Sequence, residues 1–335
     1  MGFWTLVRKM DTKKMRATAA KVAKEAHRST PAIFCDMVWC GFRYRAGYMD
    51  YDLFHFWDLS AAQRASVLTR GRNDQYVAAL NRREDWVIFD RKPQFLERFA
   101  PFVQRKWLDL TDAGAEDLER FGRELGAFII KPIDDSHGNG VDKIVSAEVT
   151  DWAALYERLR ENGQLLCEEV IPQHEALNAV WPGSINTVRI DTILKDGKVH
   201  PVAACLRVGN GERPIDNFCS GGMVAPVDRK TGRVTGPAVD NQNRLYAYHP
   251  GTGTKFEGVQ IPMWQAIMDL LRDAAPIVPT VRFVGWDIAV TPTGPVLVEG
   301  NPYPAHVLYG LPGQAADKLG VLPNFDAVVP HQKLK

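Results

Sequence analysis

Two β-forming runs, at 283–290 and 296–299, flank Thr-Pro-Thr-Gly-Pro at 291–295, a turn signature, so this stretch must double back as an antiparallel hairpin. Placing Val290 opposite Val296 sets Asp287 opposite Glu299 and Gly285 opposite Asn301. Side chains alternate faces along a strand. Phe283, Asp287 and Ala289 then share one face with Leu297, Glu299 and Asn301, while Val284, Trp286, Ile288, Val290, Val296 and Val298 form a core face. Two directly opposed carboxylates repel unless something positive lies between them. Hard oxygen donors of this kind suit magnesium held jointly with phosphate oxygens. The expected metal ligands are therefore Asp287, Glu299 and Asn301, with Gly285 leaving room for the ion. The competing reading is a pair of exposed acids on a solvated sheet face, and the apolar neighbours Phe283 and Leu297 argue against it.

A second phosphate-directed pattern lies upstream. Residues 128–131, Phe-Ile-Ile-Lys, read as a strand ending in Lys131, followed by a polar loop carrying Ser136, Gly138 and Gly140. Such a loop can fold its backbone N–H groups around phosphate oxygens, with the lysine as a point charge beside them. An ordinary hairpin with an exposed lysine fits the same residues. The loop matches neither GxxxxGK[ST] nor a strand–GxGxxG–helix, so neither a Walker nor a Rossmann site is implied.

Around these motifs, short strands are expected at 86–89, 143–145, 165–170, 187–194 and 202–208, and helices at 93–99, 115–125 and 262–274. The mixture predicts an α+β chain with antiparallel sheets. Residues 1–30 carry eight Lys or Arg against Asp11 and Glu25, with Met15, Ala19, Val22 and Ala26 at helical spacing. Nine aromatics between 34 and 57 suit the core of a small helical lobe, though aromatic faces also stack on sugars or bases. The expected division is an N-terminal helical lobe at 1–85 and a larger domain at 86–335, itself split into 86–170 and 171–335.

Composition narrows the class. With 41 Lys+Arg against 40 Asp+Glu, the formal charge of +1 argues against a dedicated nucleic-acid binder. No run of 18 apolar residues is present, so no membrane span is expected. The N-terminal residues lack the apolar core of a secretory signal. Five cysteines, an odd count with no CxxC pair, fit a reducing cytoplasm better than a disulfide framework or zinc site.

Taken in order from about Asp90 to Pro304, the motifs resemble the ATP-grasp superfamily, and more closely its sugar-transfer-associated branch. Phe89-Asp90-Arg91-Lys92 resembles the element whose lysine contacts phosphate, and 128–141 resembles the second lysine strand with its glycine-rich lid. Leu165-Leu166-Cys167-Glu168-Glu169-Val170-Ile171 is similar to the hinge that holds adenine. The resemblance implies that Glu168 and the Val170 backbone read the base, with Glu169 in the same hinge and His174 or Glu175 near the ribose. It further implies that Arg189 and Arg207 face the γ-phosphate and that Asn217 belongs to a loop closing over the acceptor. Asp287, Glu299 and Asn301 fall at the metal-binding end. The implied fold is ATP-grasp, two α+β lobes clasping ATP, beside a small helical N-terminal lobe. The implied activity is an ATP- and Mg²⁺-dependent ligase, with two ions, joining a carboxylate to an amine or other nucleophile through an acyl phosphate. A small-molecule carboxylate or sugar-related substrate in a polysaccharide or cell-surface setting is expected. The alternative is an ATP-grasp kinase passing the γ-phosphoryl group to a hydroxyl.

Overall fold

The computed structural model describes residues 11–134, 140–211, 218 and 221–334. The described chain forms two units: residues up to Ala79 with those from His306 onward, and Leu80–Ala305.

The first unit is helical. Its helix Thr12–Glu25 starts where the Asp11 carboxylate accepts the Lys14 amide at 3.0 Å, and it buries Met15, Ala19 and Val22 at helical spacing. Asp36, on helix Thr30–Tyr44, accepts two 2.8 Å bonds from Arg64 and one of 2.7 Å from the Tyr51 hydroxyl. Of the aromatics between 34 and 57, Tyr51, Phe54 and Phe56 are buried, whereas Trp39 and Phe42 stay 58% and 47% exposed.

The second unit is built on two antiparallel sheets. The smaller contains β1 (Trp107–Asp109), β2 (Ala127–Lys131), β3 (Asp142–Val145) and β4 (Leu166–Glu169) in the order β1-β4-β2-β3. One face is apolar: Phe128, Ile130 and Cys167 meet Leu118, Phe121, Trp152, Leu155 and Leu159 from helices Ala115–Leu125 and Trp152–Glu161. Gly122 lets that first helix come close, since a Cβ there would lie 2.2 Å from the Trp152 ring. Strand alternation turns Lys131 and Glu168 to the opposite face.

The larger sheet contains β5 (Val188–Lys195), β6 (Lys198–Val208), β7 (Met223–Pro226), β8 (Ala238–Asp240), β9 (Leu245–Tyr246), β10 (Phe283–Thr291) and β11 (Gly294–Asn301). Its order is β11-β10-β5-β6-β7-β8-β9. Trp286 anchors its core, fully buried against Phe89 and Phe99 with ring centroids 6.0 and 5.5 Å away, its Nε1 donating to Thr192 Oγ1 at 2.9 Å. Truncating it to alanine is expected to cost about 3–5 kcal/mol. Helix Trp264–Ala274 adds Ile267, Leu270 and Leu271 to the same core.

The stretch 86–89, expected as a strand, is instead the short helix Val87–Asp90, followed by Lys92–Arg98. A four-residue apolar run fits either element, and here Phe89 folds onto Phe95, Phe99 and Trp286. The hairpin departs from expectation at one point. Asp287 does face Glu299, and Gly285 faces Asn301, but the register slips by one between Asp287 and Ile288. Ile288 therefore faces Leu297, and Val290 faces Pro295 rather than Val296. Val298 is the extra residue of a β-bulge. A one-residue shift exchanges the faces, so Leu297 joins Val284, Trp286, Ile288 and Val290 in the core, Val296 moves to the face of Ala289, and Val298 is only half-buried.

Candidate active site

β5, β10 and β11 lie side by side, so residues on one face form rows across the sheet. One row is Arg189, Asp287 and Glu299, and the next is Asp191, Gly285 and Asn301. Asn81 holds the open end of this array: its amide bonds Phe283 O at 2.6 Å and Pro302 O at 2.7 Å, and accepts Phe283 N at 2.8 Å.

Asp287 is 1% exposed and accepts both guanidinium arms of Arg189 at 2.6 Å, plus Arg207 Nη1 at 2.7 Å from β6. Burial alone would raise its pKa, but the two arginines override burial and hold the carboxyl well below the usual carboxylate range. Burial and the neighbouring Asp287 push the Glu299 carboxyl above its ordinary range, against the pull of Arg189 at 3.9 Å. The Glu299 side chain remains 43% exposed, so water moderates that rise. Asn301 Nδ2 lies 3.4 Å from Glu299 Oε1 and 3.5 Å from Gly285 O. Beneath the arginines, burial pushes the Cys205 thiol far up, which makes it an inert filler rather than a nucleophile.

This set suits a hard cation with phosphate. Three of the four or so lone-pair sites on Asp287 are occupied by arginine donors. Among the described residues no group of three or more His, Cys, Asp or Glu is arranged to hold a metal. The hairpin offers two carboxylates and an amide, oxygen donors of the kind that could bind magnesium together with phosphate oxygens. Room does not come from Gly285 as expected: a Cβ there would lie 2.8 Å from Asp191 Oδ1, 3.1 Å from Pro304 Cβ and 3.3 Å from Arg189 Nη1.

The smaller sheet supplies a second ionic group. Lys131 Nζ lies 2.6 Å from Glu168 Oε1, and Arg105 Nε donates to Glu168 Oε2 at 2.8 Å. Burial opposes ionisation of Glu168, yet Arg105 and Lys131 bring it down to about 2. Lys92 Nζ donates to Ile133 O at 3.2 Å, just past the end of β2. Gly140 has φ +68° and packs against Pro132, and its carbonyl accepts Gln164 Nε2 at 2.8 Å. Glu169 points away from Glu168 and accepts the Lys106 amide at 3.0 Å, and Val170 follows it half-buried. His174 accepts the Ala176 amide through Nδ1 at 3.1 Å, capping the short helix Glu175–Asn178, while Glu175 is exposed. The His174 amide bonds Val290 O at 2.8 Å, toward the turn end of β10 rather than beside Asp287. Ser136, Gly138 and Asn217 lie outside the described residues.

Two site residues were missed in sequence. Asp191 is 1% exposed and shares a face with Arg189, a placement that the two-residue spacing on one strand already carries. Arg105 has no motif around it, because its partners are 63 and 192 residues away.

Opposed carboxylates under a pair of strand arginines thus stand on one antiparallel sheet, with a lysine–glutamate pair on the second. The chain belongs to the sugar-transfer associated ATP-grasp family, whose description matches residues 71–324. No curated protein sequence matches it. Among solved structures, the ATP-grasp ligase PsnB complexed with its minimal precursor is similar at 18% identity and a TM-score of 0.45, over 75% of this chain and 64% of that one. D-alanine–D-alanine ligase from Bacillus anthracis is similar at 14% identity and a TM-score of 0.39, over 74% of this chain and 66% of that one. The L-amino acid ligase from Bacillus licheniformis is similar at 14% identity and a TM-score of 0.38, over 64% of this chain and 40% of that one.

Proposed function

We propose that the protein is an ATP- and Mg²⁺-dependent ligase that activates a carboxylate as an acyl phosphate and joins it to an amine or related nucleophile. The observation that carries this reading is the buried Arg189–Asp287–Arg207 cluster beside Glu299 and Asn301. Asp287, Glu299 and Asn301 would hold the magnesium, as two ions, which when bound supplies positive charge at the β- and γ-phosphate oxygens. Arg189 and Arg207, held on adjacent strands by Asp287, would supply positive charge toward the γ-phosphoryl oxygens. Phosphoryl transfer needs such positioning and charge stabilisation more than covalent help from the protein. Lys131 and Lys92 add charge at the other phosphates, with Glu168, Glu169 and Val170 along the adenine hinge and His174 and Glu175 toward the ribose. By the resemblance, Ser136, Gly138 and Gly140 would serve the phosphates and Asn217 the acceptor.

In the first step a substrate carboxylate oxygen forms a bond to the γ-phosphorus as the bond to the β-phosphate oxygen breaks, releasing ADP. In the second, the amine nitrogen bonds to the acyl carbon, inorganic phosphate leaves, and the amine proton passes to solvent. The family's sugar-transfer description favours a polysaccharide or cell-surface-related substrate. The described cysteines Cys35, Cys40, Cys167 and Cys205 are free, and none of the described helices is long and apolar enough to cross a membrane, which supports work in the cytoplasm, where ATP is supplied. The test is incubation with ATP, Mg²⁺ and mixed carboxylates and amines, followed by mass spectrometry. A condensed product with ADP and free phosphate is expected. Phosphate retained on one hydroxyl acceptor would make the protein a kinase instead.

A further inference from the structure

Arg105 stands just before β1 with a side chain 3% exposed, and its donors meet three acceptors. Nε bonds Glu168 Oε2 at 2.8 Å, Nη1 bonds Leu297 O at 2.6 Å, and Nη2 bonds Val298 O at 3.1 Å. The first acceptor is the carboxylate that also holds Lys131. The other two are the carbonyls at the β11 bulge, immediately before Glu299. β11 is the edge strand of its sheet, so its outward carbonyls have no ladder partner, and a bulge leaves its extra residue unpaired as well. The wide, planar fork of the guanidinium bridges both carbonyls and the carboxylate at once.

We infer that Arg105 is a positioning residue that couples the nucleotide-side pair Lys131–Glu168 to the metal-side carboxylate Glu299, by pinning the Val298 bulge that sets which way Glu299 faces. The inference rests on the ATP-dependent reading above. Its logic is the register: without the bulge, the one-residue slip in β11 disappears and either Glu299 or Leu297 must change faces. Arg105 and Lys131 share one carboxylate, so phosphate that draws the Lys131 ammonium away leaves Glu168 to Arg105 alone. The tie from Glu168 through Arg105 to the bulge then tightens as nucleotide arrives.

The test is calorimetric titration of ADP with the whole protein, once in Mg²⁺ and once in chelator, comparing the parent with Arg105→Lys. Lysine keeps a cation opposite Glu168 but cannot fork across two carbonyls. The expected result is that the ratio of the two dissociation constants falls about tenfold or more in the variant, while affinity in chelator changes little. A purely structural role would weaken binding equally with and without Mg²⁺, and that outcome, or an unchanged ratio, overturns the inference. If circular dichroism shows Arg105→Lys unfolded, the double variant Arg105→Gln/Glu168→Gln removes the buried charge together with its partner. It should lose the same coupling, and retention of the parent ratio overturns the inference. A parent protein that shows no Mg²⁺–nucleotide coupling refutes the ATP-dependent reading itself, before any variant is compared, and the inference falls with it.

Discussion

Asp287 and Glu299 face each other across one strand pair, yet their removal should act in opposite directions on stability. Asp287→Asn leaves Arg189 and Arg207, 5% and 8% exposed, buried around an uncharged amide. Removing one partner from a buried ion cluster costs about 3–5 kcal/mol, and that is the expected loss at pH 7. Because the folded pKa of Asp287 is depressed, its contribution is present above the unfolded carboxylate value and is lost as pH falls through the depressed one. The deficit should therefore shrink below about pH 4. Glu299 has the opposite sign. Its folded pKa is raised, so its stabilising contribution is full at acid pH and is lost as pH rises through that value. In chelator Glu299→Gln removes a carboxyl opposed to Asp287, and it should leave stability unchanged or raise it by at most about 1 kcal/mol, given its 43% exposed side chain. Catalysis by Glu299→Gln should nearly vanish, because charge on the transferring phosphoryl group loses a metal ligand. The assay is scanning calorimetry in chelator at pH 4 and pH 7, with ATP consumption measured in parallel. Asp287→Asn within about 1 kcal/mol of the parent would refute the buried cluster. A large loss of stability in Glu299→Gln would make that residue structural.

Lys131→Ala should weaken ATP binding by about tenfold or more in titration calorimetry, and equal affinity would remove the lysine from the site. Arg207→Ala should lower kcat by about 10²–10³ while ATP affinity changes far less, and a normal kcat with a raised KM for ATP would contradict its place at the γ-phosphoryl. Glu168 titrates near 2 in the folded protein, below its ordinary value of 4.5, so its stabilisation holds above about pH 4.5 and is lost as the solution is acidified toward pH 2. Glu168→Gln should flatten that acid limb, removing on the order of 3 kcal/mol of its amplitude, and acid titrations that superimpose on the parent would contradict the Arg105–Glu168–Lys131 group.

Asp287 does oppose Glu299 as expected, although the turn register expected from the sequence is off by one: Val290 faces Pro295, and the extra residue of the bulge restores the offset. The bulge at Val298 was not legible, since valine carries no bulge signature and Arg105, which bonds the bulge carbonyls, lies 192 residues from Leu297 in sequence. The same limit hid the partners of Asp287. Arg189 and Arg207 were singled out as phosphate ligands, but their bonds to Asp287 depend on β5 lying beside β10, a pairing that spans 98 residues between Arg189 and Asp287. Local pattern failed at 86–89 for a different reason: four apolar residues fit a strand or a helical turn, and the choice was made by the Phe95, Phe99 and Trp286 rings. The closure of the helical unit by residues after His306 likewise rests on contacts such as Tyr76 to Asp326, 250 residues apart.

The central claim is that one hairpin binds metal and nucleotide together, and thermal stability read in a two-by-two design tests it most directly. The melting temperature of the parent is measured alone, with Mg²⁺, with ATP in chelator, and with both; Glu299→Gln is measured in the same four conditions. The account predicts that ATP and Mg²⁺ together stabilise the parent by more than the sum of their separate effects, and that this excess disappears in Glu299→Gln. An ATP stabilisation of the parent that is the same in chelator as in Mg²⁺ would contradict it.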